Sequence, residues 1–254
     1  MKHYNSIIQW LYDQIPPYQY KGGDSYKPGL SRIKNFLKFL GNPESNLKFI
    51  HVGGTNGKGS TSNMISSILK EFNKKVGLFT SPHMFDFRER IKINSNKIDK
   101  QFVIDFVNNN KDYFLSEKNS FFEISFAMAI FYFNLKKVDY AVIEVGLGGR
   151  LDATNAIHPL LSIITNIGYD HTEFLGDKIT SIANEKAGII KKNTPVLIGE
   201  KNQETDNVFI EKARRESSKI FFTEDFLSNE FEVSLKTNYQ KKNESTAYAA
   251  IQIL

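Results

Sequence analysis

The stretch Gly54-Thr55-Asn56-Gly57-Lys58-Gly59-Ser60-Thr61, preceded by Leu47-Lys48-Phe49-Ile50-His51-Val52, decides how this sequence folds. An apolar run of strand length delivers the backbone into a glycine-rich turn, and helical character follows from about Ser60. Glycines let the main chain take positive φ and approach an anion closely. The helix start then aims unpaired N–H groups and its positive dipole end at that anion. Lys58 supplies a point charge, and Ser60 or Thr61 a hydroxyl for Mg²⁺ or a phosphate oxygen, with Thr55, Asn56, Gly57 and Gly59 completing the loop. The stretch departs from the standard P-loop spacing, because Val52 stands where a glycine is wanted and Gly59 where a hydroxyl follows the lysine. A nucleotide-phosphate site is the expectation.

Outward from this loop the pattern alternates. Helical periodicity covers Tyr4–Gln14 and Leu30–Leu40, where Ile33, Phe36, Leu37 and Leu40 form one stripe that Gly41-Asn42-Pro43 ends. Strand Leu47–Val52, the loop, helix Ser60–Phe72 and strand Lys75–Thr80 make a strand–helix–strand unit of the kind that opens a parallel sheet. Helices Lys100–Phe114 and Phe122–Leu135 precede Val138–Val145, a nearly continuous apolar run as expected of a central parallel strand. Strands Leu161–Asn166, Pro195–Ile198 and Lys219–Thr223 alternate with helices Lys178–Ile190 and Glu204–Glu216. Phe231–Leu235 reads as an edge strand and Glu244–Leu254 as a final helix. The fold class is α/β, P-loop-type, with a mostly parallel sheet and helices on both faces. One domain over 1–254 is expected, its N-terminal helices lying within 1–45.

The bulk composition sets bounds on partners. A chain of 254 residues, 41% hydrophobic, buries roughly 70–75% of its unfolded surface, enough for a core without staples. The net charge of +5 suits an anionic ligand, but no arginine-rich block points to nucleic acid. Without cysteine there is neither a disulfide framework nor thiolate chemistry. The N-terminus lacks a signal-peptide layout, and the apolar run Ile124–Leu135 is too short to span a bilayer. A cytoplasmic monomer without a membrane or nucleic-acid partner is the expectation.

Ligands on open α/β sheets collect at the carboxyl ends of the strands, and polar clusters stand at several of them. Thr80-Ser81-Pro82-His83 is followed by Arg88-Glu89-Arg90. Glu144 ends an apolar strand and leads into Gly146-Leu147-Gly148-Gly149-Arg150-Leu151-Asp152-Ala153-Thr154-Asn155. A carboxylate there is costly to bury unless it pairs with a base such as Arg150 or holds a cation. Mg²⁺ is one such cation, with Ser81, His171 and a loop hydroxyl as partners from neighbouring strands. His171, after Asn166-Ile167-Gly168-Tyr169-Asp170, reads equally as a helix cap or hydrogen-bonding residue. Lys186 shares a helix face with Ile182, Ile189 and Ile190, so it either snorkels, pairs with Glu185, or sits partly desolvated with a depressed pKa.

These motifs together resemble the bacterial dihydrofolate synthase/folylpolyglutamate synthase branch of the Mur ligase superfamily, essentially from end to end. The resemblance is carried by Gly29-Leu30-Ser31-Arg32-Ile33, Gly54–Thr61, Thr80-Ser81-Pro82-His83, Phe122-Glu123, Glu144–Asn155, Asp170-His171 and Glu185-Lys186-Ala187-Gly188-Ile189. It implies the fold of the Mur ligase central domain, with Lys58 and the loop amides on the phosphates of ATP. It also implies two Mg²⁺ ions, one on Ser81 and Glu144, the other on His171 and a carbamylated Lys186. A pterin is implied against Gly29, Leu30 and Phe122, with Ser120, Asp152 and Ala153 lining its pocket and Asn243 contacting the nucleotide.

The implied reaction is ATP-dependent amide formation between L-glutamate and dihydropteroate or a folate polyglutamate through an acyl phosphate. Two alternatives stand beside it: a related Mur-type ligase acting on a cell-wall precursor, and a nucleotide-binding remnant without turnover. The resemblance also implies a second, C-terminal glutamate-ligase domain, which these 254 residues are expected to lack. For these 254 residues alone, nucleotide and pterin binding with little ligase turnover is expected.

Overall fold

The computed structural model describes residues 3–16, 28–227 and 237–254. Its centre is an eight-stranded sheet. In chain order the strands are β1 (Phe49–Gly53), β2 (Val76–Phe79), β3 (Ile91–Ile93), β4 (Asn96–Lys97), β5 (Tyr140–Glu144), β6 (Leu161–Ile164), β7 (Val196–Ile198) and β8 (Ile220–Phe222), and their spatial order is β4-β3-β2-β5-β1-β6-β7-β8. All pairings from β2 across to β8 are parallel, while β2–β3 and β3–β4 are antiparallel. The helices are α1 (Tyr4–Gln14), α2 (Ser31–Phe39), α3 (Lys58–Glu71), α4 (Lys100–Ser116), α5 (Phe121–Leu135), α6 (Thr172–Leu175), α7 (Ile179–Ala187), α8 (Asp206–Arg215) and α9 (Asn238–Ile253).

Every residue of β1 is buried, as a strand covered on both faces requires. Alternation along the strands sorts the core into layers. Phe49, Phe79, Ala141 and Ile143 pack with α1, α2, α4 and α5 on one face. Ile164, Val196 and Ile198 continue that face beneath α7 and α8. Ile50, Val52, Leu78, Val142 and Ile163 lie on the other face, against Ile65 and Leu69 of α3 and Ala247 and Ala250 of α9. Helix α5 is apolar nearly all round and buried along most of its length, which is why its sequence lacks an amphipathic stripe. Its start is fixed by a capping box in which the Ser120 hydroxyl accepts from the Glu123 amide and the Glu123 carboxylate accepts from the Ser120 amide.

The expected α/β sheet and the helices on both its faces are present, with shifts at several boundaries. Helix α3 begins at Lys58, not near Ser60, because Gly57 takes the left-handed conformation at its N-cap and turns the chain two residues earlier. Helix α9 begins at Asn238, six residues before the expected Glu244, and the residues expected to form helix Lys178–Ile190 are helical only over α7. The β3–β4 hairpin escaped sequence reading because its strands are very short. Its turn is carried by Asn94 and Ser95, both at positive φ, and not by an Asn-Gly pair. The expected strand Phe231–Leu235 lies outside the described residues.

One close contact sets the spacing of sheet and helix. A methyl group at Gly77 of β2 would lie 2.7 Å from ring carbons of Phe133 on α5. Gly77→Ala should therefore destabilise the chain by about 1–3 kcal/mol through overpacking, with Phe133→Leu partly restoring it. Urea unfolding of the two single variants and the double variant checks this, and an unchanged midpoint for Gly77→Ala would refute the packing argument.

Candidate active site

The glycine loop leaves the carboxyl end of β1, the strand between β5 and β6. It is pinned from β6: the Thr55 amide donates to the Asn166 carbonyl at 2.9 Å, and the Asn56 amide to Asn166 Oδ1 at 2.9 Å. Thr165 Oγ1 donates to the Asn56 carbonyl at 2.7 Å. The Thr55 hydroxyl donates to the Gly168 carbonyl and accepts from the Gly168 amide, tying the loop to the segment that carries His171. A side chain at Gly54, where φ is +135°, would begin 2.0 Å from Thr165 Oγ1. Only glycine lets the strand turn there.

Two lysines meet on one carbonyl of this loop. Lys58 Nζ donates to the Gly54 and Thr55 carbonyls at 3.1 and 2.9 Å, and Lys186 Nζ donates to the Gly54 carbonyl at 2.8 Å. Lys186 is 2% exposed. Burial, and then the neighbouring Lys58 charge, push its ammonium down to about 8. Of the alternatives left open by the sequence, desolvation is therefore the outcome. Glu185 pairs instead with Arg150, at 2.8 Å.

That pairing also removes Arg150 as a partner for Glu144. The Glu144 carboxylate is buried, accepts from the Ser81 amide at 2.8 Å, and is pushed up to about 7 by its burial. A Cβ at position 59 would lie 3.4 Å from it. The first turn of α3 therefore packs at ordinary contact distance beside the carboxylate. Among the described residues no three His, Asp or Glu side chains gather closely enough to hold a metal by themselves. The donor set around Glu144 fits Mg²⁺ in the form that ion prefers, with one or two protein oxygens and substrate phosphates completing the shell.

Beside the loop lies a cavity of about 360 Å³. Lys58, Ser81, Glu144 and His171 line it together with Ser120, Phe122, Asp152 and Ala153, and with Phe121, Glu123, Leu147 and Leu151. The expected phosphate and pterin residues thus face one space. Gly29 and Leu30 do not line it, though the Gly29 amide donates to the carbonyl of the cavity residue Leu151 at 3.2 Å. Asn243 is buried on α9 against the loop, where a Cβ at Gly57 would lie 2.0 Å from its Oδ1. His171 caps α6 at positive φ, its Nε2 3.3 Å from Asp170 Oδ1, and so combines the cap position with an opening onto the cavity.

The two arginines of the loop after β2 part ways. Arg88 is held by Asp86 through contacts as short as 2.7 Å and lies over the Tyr4 ring. Arg90 lines the cavity, 2% exposed, over the Phe121 ring and donating to His83 Nδ1 at 2.7 Å. Sequence reading missed the loop-pinning role of Thr165, since a threonine at a strand end has no distinctive signal.

A site of this composition has relatives. Residues 52–253 match the Mur ligase middle domain. The chain belongs to the Mur ligase family. It is 40% identical over 226 residues to the dihydrofolate synthase/folylpolyglutamate synthase of Bacillus subtilis (strain 168), an alignment that covers 83% of this chain and 53% of that protein. The apo form of L. casei FPGS superposes with a TM-score of 0.88 at 31% identity, covering 99% of this chain and 67% of that one. An FPGS–AMPPCP–folate complex superposes with a TM-score of 0.86 at 31% identity, with the same coverage. Within the Mur ligase family the chain falls in this folate-ligase branch, and it spans about half the length of the Bacillus subtilis relative. Among the described residues no helix is long and apolar enough to cross a membrane.

The buried Glu144 carboxyl makes stability depend on pH. Folded, it protonates at about 7 and, unfolded, near its ordinary 4.5. Between those values the folded chain holds more protons than the unfolded one, so stability falls as pH rises. Without metal or nucleotide, the loss across that window should be on the order of 3 kcal/mol, and Glu144→Gln should remove it. Urea unfolding at several pH values checks this; equal slopes for the wild type and Glu144→Gln would count against the burial argument.

Proposed function

We propose that this Mur ligase domain binds ATP on the Gly54–Thr61 loop and a pterin-bearing carboxylate in the adjoining cavity, and that it serves ATP-dependent ligation of L-glutamate to dihydropteroate, to folate polyglutamates, or to both. The observation that carries this reading is that Lys58 and Glu144 share one cavity with Phe122, Ser120 and Asp152. A phosphate end and a heterocycle end are thereby joined in one space. Residues 1–254 act as one ATP-binding domain, in the cytoplasm and as a monomer, with ATP, L-glutamate and the folate substrate as partners.

Two anions must meet in this reaction, the substrate carboxylate and the γ-phosphate. A carboxylate oxygen attacks the γ-phosphorus, the bond to the ADP oxygen breaks, and an acyl phosphate results. The amine of L-glutamate then attacks the acyl carbon, phosphate leaves, and the amine proton passes to solvent. Catalysis here is mainly positioning and charge neutralisation. Lys58 exchanges its loop carbonyls for phosphate oxygens, the amides at the start of α3 face the β- and γ-phosphates, and Asn243 backs the loop at Gly57. Arg90 faces the approaching carboxylate from the cavity wall.

Ser81 and Glu144 would hold a first Mg²⁺, and His171 with a carbamylated Lys186 a second; when bound, these ions neutralise phosphate charge. Carbamylation needs the neutral amine, and the depressed Lys186 supplies a larger neutral fraction as pH rises toward 8 than an ordinary lysine does. Gly29 and Leu30 would act on the pterin pocket from behind, the Gly29 amide holding the carbonyl of the lining residue Leu151.

Lys58→Ala should weaken the binding of an ATP analogue to the chain by about tenfold or more. Calorimetry with the ATP analogue checks this. Failure of the wild-type chain to bind either nucleotide or dihydropteroate would sink the reading, and a UDP-muramyl substrate in place of dihydropteroate should not bind. A carbonyl resonance from ¹³C-bicarbonate should grow with pH and vanish in Lys186→Arg. Its absence from the wild type would rule out the carbamate.

A further inference from the structure

His51 lies inside β1, wholly buried, three residues before the glycine loop. Its register partners, Ile143 on β5 and Ser162 on β6, belong to the sheet. None of the roles given above uses it. An imidazole there carries a desolvation cost that a valine or isoleucine would avoid. Its Nε2 lies 2.9 Å from Thr154 Oγ1, while its Nδ1 is buried without a hydrogen-bond partner. A buried N–H without an acceptor is costlier than a bare ring nitrogen, so the proton sits on Nε2 and is donated to Thr154. Burial, with Lys191 nearby, pushes the imidazole down to about 3, which leaves it neutral under ordinary conditions.

Thr154 is itself fully buried. Its hydroxyl accepts from His51 and so has its one proton left to donate, and Asp152 Oδ1 is the acceptor. The same oxygen accepts from the Thr154 amide at 2.9 Å, and Asp152 Oδ2 accepts from the Leu147 amide at 2.9 Å. The carboxylate is thereby clamped from two sides while it lines the cavity. Capping the short 3₁₀ turn Ala153–Ala156 needs only the Thr154 amide contact. The Thr154 hydroxyl and the histidine behind it exceed that need.

We propose that His51 is a positioning residue for substrate recognition: through the Thr154 hydroxyl it holds the Asp152 carboxylate aimed at the N–H donors of the heterocycle in the cavity. The proposal rests on the reading that this end of the cavity takes a pterin. Its polarity is one-way, from ring N–H to hydroxyl to carboxylate, so a group with a donor at the Nε2 position preserves it and an apolar group breaks it.

The test is calorimetric titration of the 254-residue chain with dihydropteroate and, separately, with an ATP analogue. Thr154→Val, which keeps the shape and loses the hydroxyl, should raise the Kd for dihydropteroate about tenfold, with Thr154→Ser within about twofold of wild type. His51→Leu should behave like Thr154→Val, and His51→Gln, whose amide nitrogen reaches the Nε2 position, should retain binding. All four should bind the ATP analogue within about twofold of wild type, because the loop is untouched. Unchanged dihydropteroate affinity in Thr154→Val would overturn the proposal, as would equal losses for both ligands, the mark of a merely structural role. Asp152→Asn separates the two layers of argument. If it too leaves dihydropteroate binding intact, the pterin reading of the cavity fails along with the proposal; if it weakens binding while Thr154→Val does not, only the positioning role is lost.

Discussion

The Gly54 carbonyl, which accepts from both Lys58 and Lys186, is the interaction on which the rest of the site depends. Two like charges share one backbone dipole, and one of them, Lys186, is almost without solvent. Such a pair persists only if the loop presents its carbonyl rigidly, and the hydrogen bonds from Thr165 and to Asn166 supply that rigidity. An anion arriving at this place exchanges a backbone dipole for full negative charge opposite the lysines. The gain is larger there than in water because the surroundings are poorly polarisable.

Glu144 answers the lysines from the neighbouring strand. Its carboxylate is placed by β5 beside the start of α3 and held by the Ser81 amide. Burial works in opposite directions on the two signs, raising the acid and lowering the amine. Both groups are therefore held away from their ordinary ionisation, a common property of groups that meet a charged ligand. Other parts of the cavity lining are built differently. Phe121 and Phe122 furnish flat apolar walls, and Asp152 gives a single fixed acceptor among backbone donors. Strand β1 carries the glycine loop at its end and His51 in its middle.

Much of this architecture was legible in the residues. The alternation of apolar runs with helical stripes announced a parallel sheet, because a strand covered on both faces has no polar alternation to hide it. The glycine turn between β1 and α3 could be read from Gly54 and Gly57, since both take a positive φ that other residues rarely adopt. The hairpin Ile91–Lys97 was not legible, for strands this short bury too little to leave a pattern. The start of α9 at Asn238 was hidden for a related reason: Gln240, Lys241 and Lys242 look like a polar loop until the helix is seen to lie across the glycine loop and the core.

By itself the sequence determined the fold class, the glycine loop between strand and helix, and the inventory of charged residues at the strand ends. These follow from local periodicity and from backbone freedom, both of which are written along the chain. Only the tertiary structure decided which charges meet. It paired Arg150 with Glu185 and left Glu144 to the Ser81 amide; it tied Arg88 to Asp86 and turned Arg90 into the cavity. It also joined His51 to Asp152 across about a hundred residues of chain through one threonine hydroxyl. Pairings of this kind depend on the register of neighbouring strands and on how much water each group loses on folding, and neither quantity exists until the chain has closed on itself.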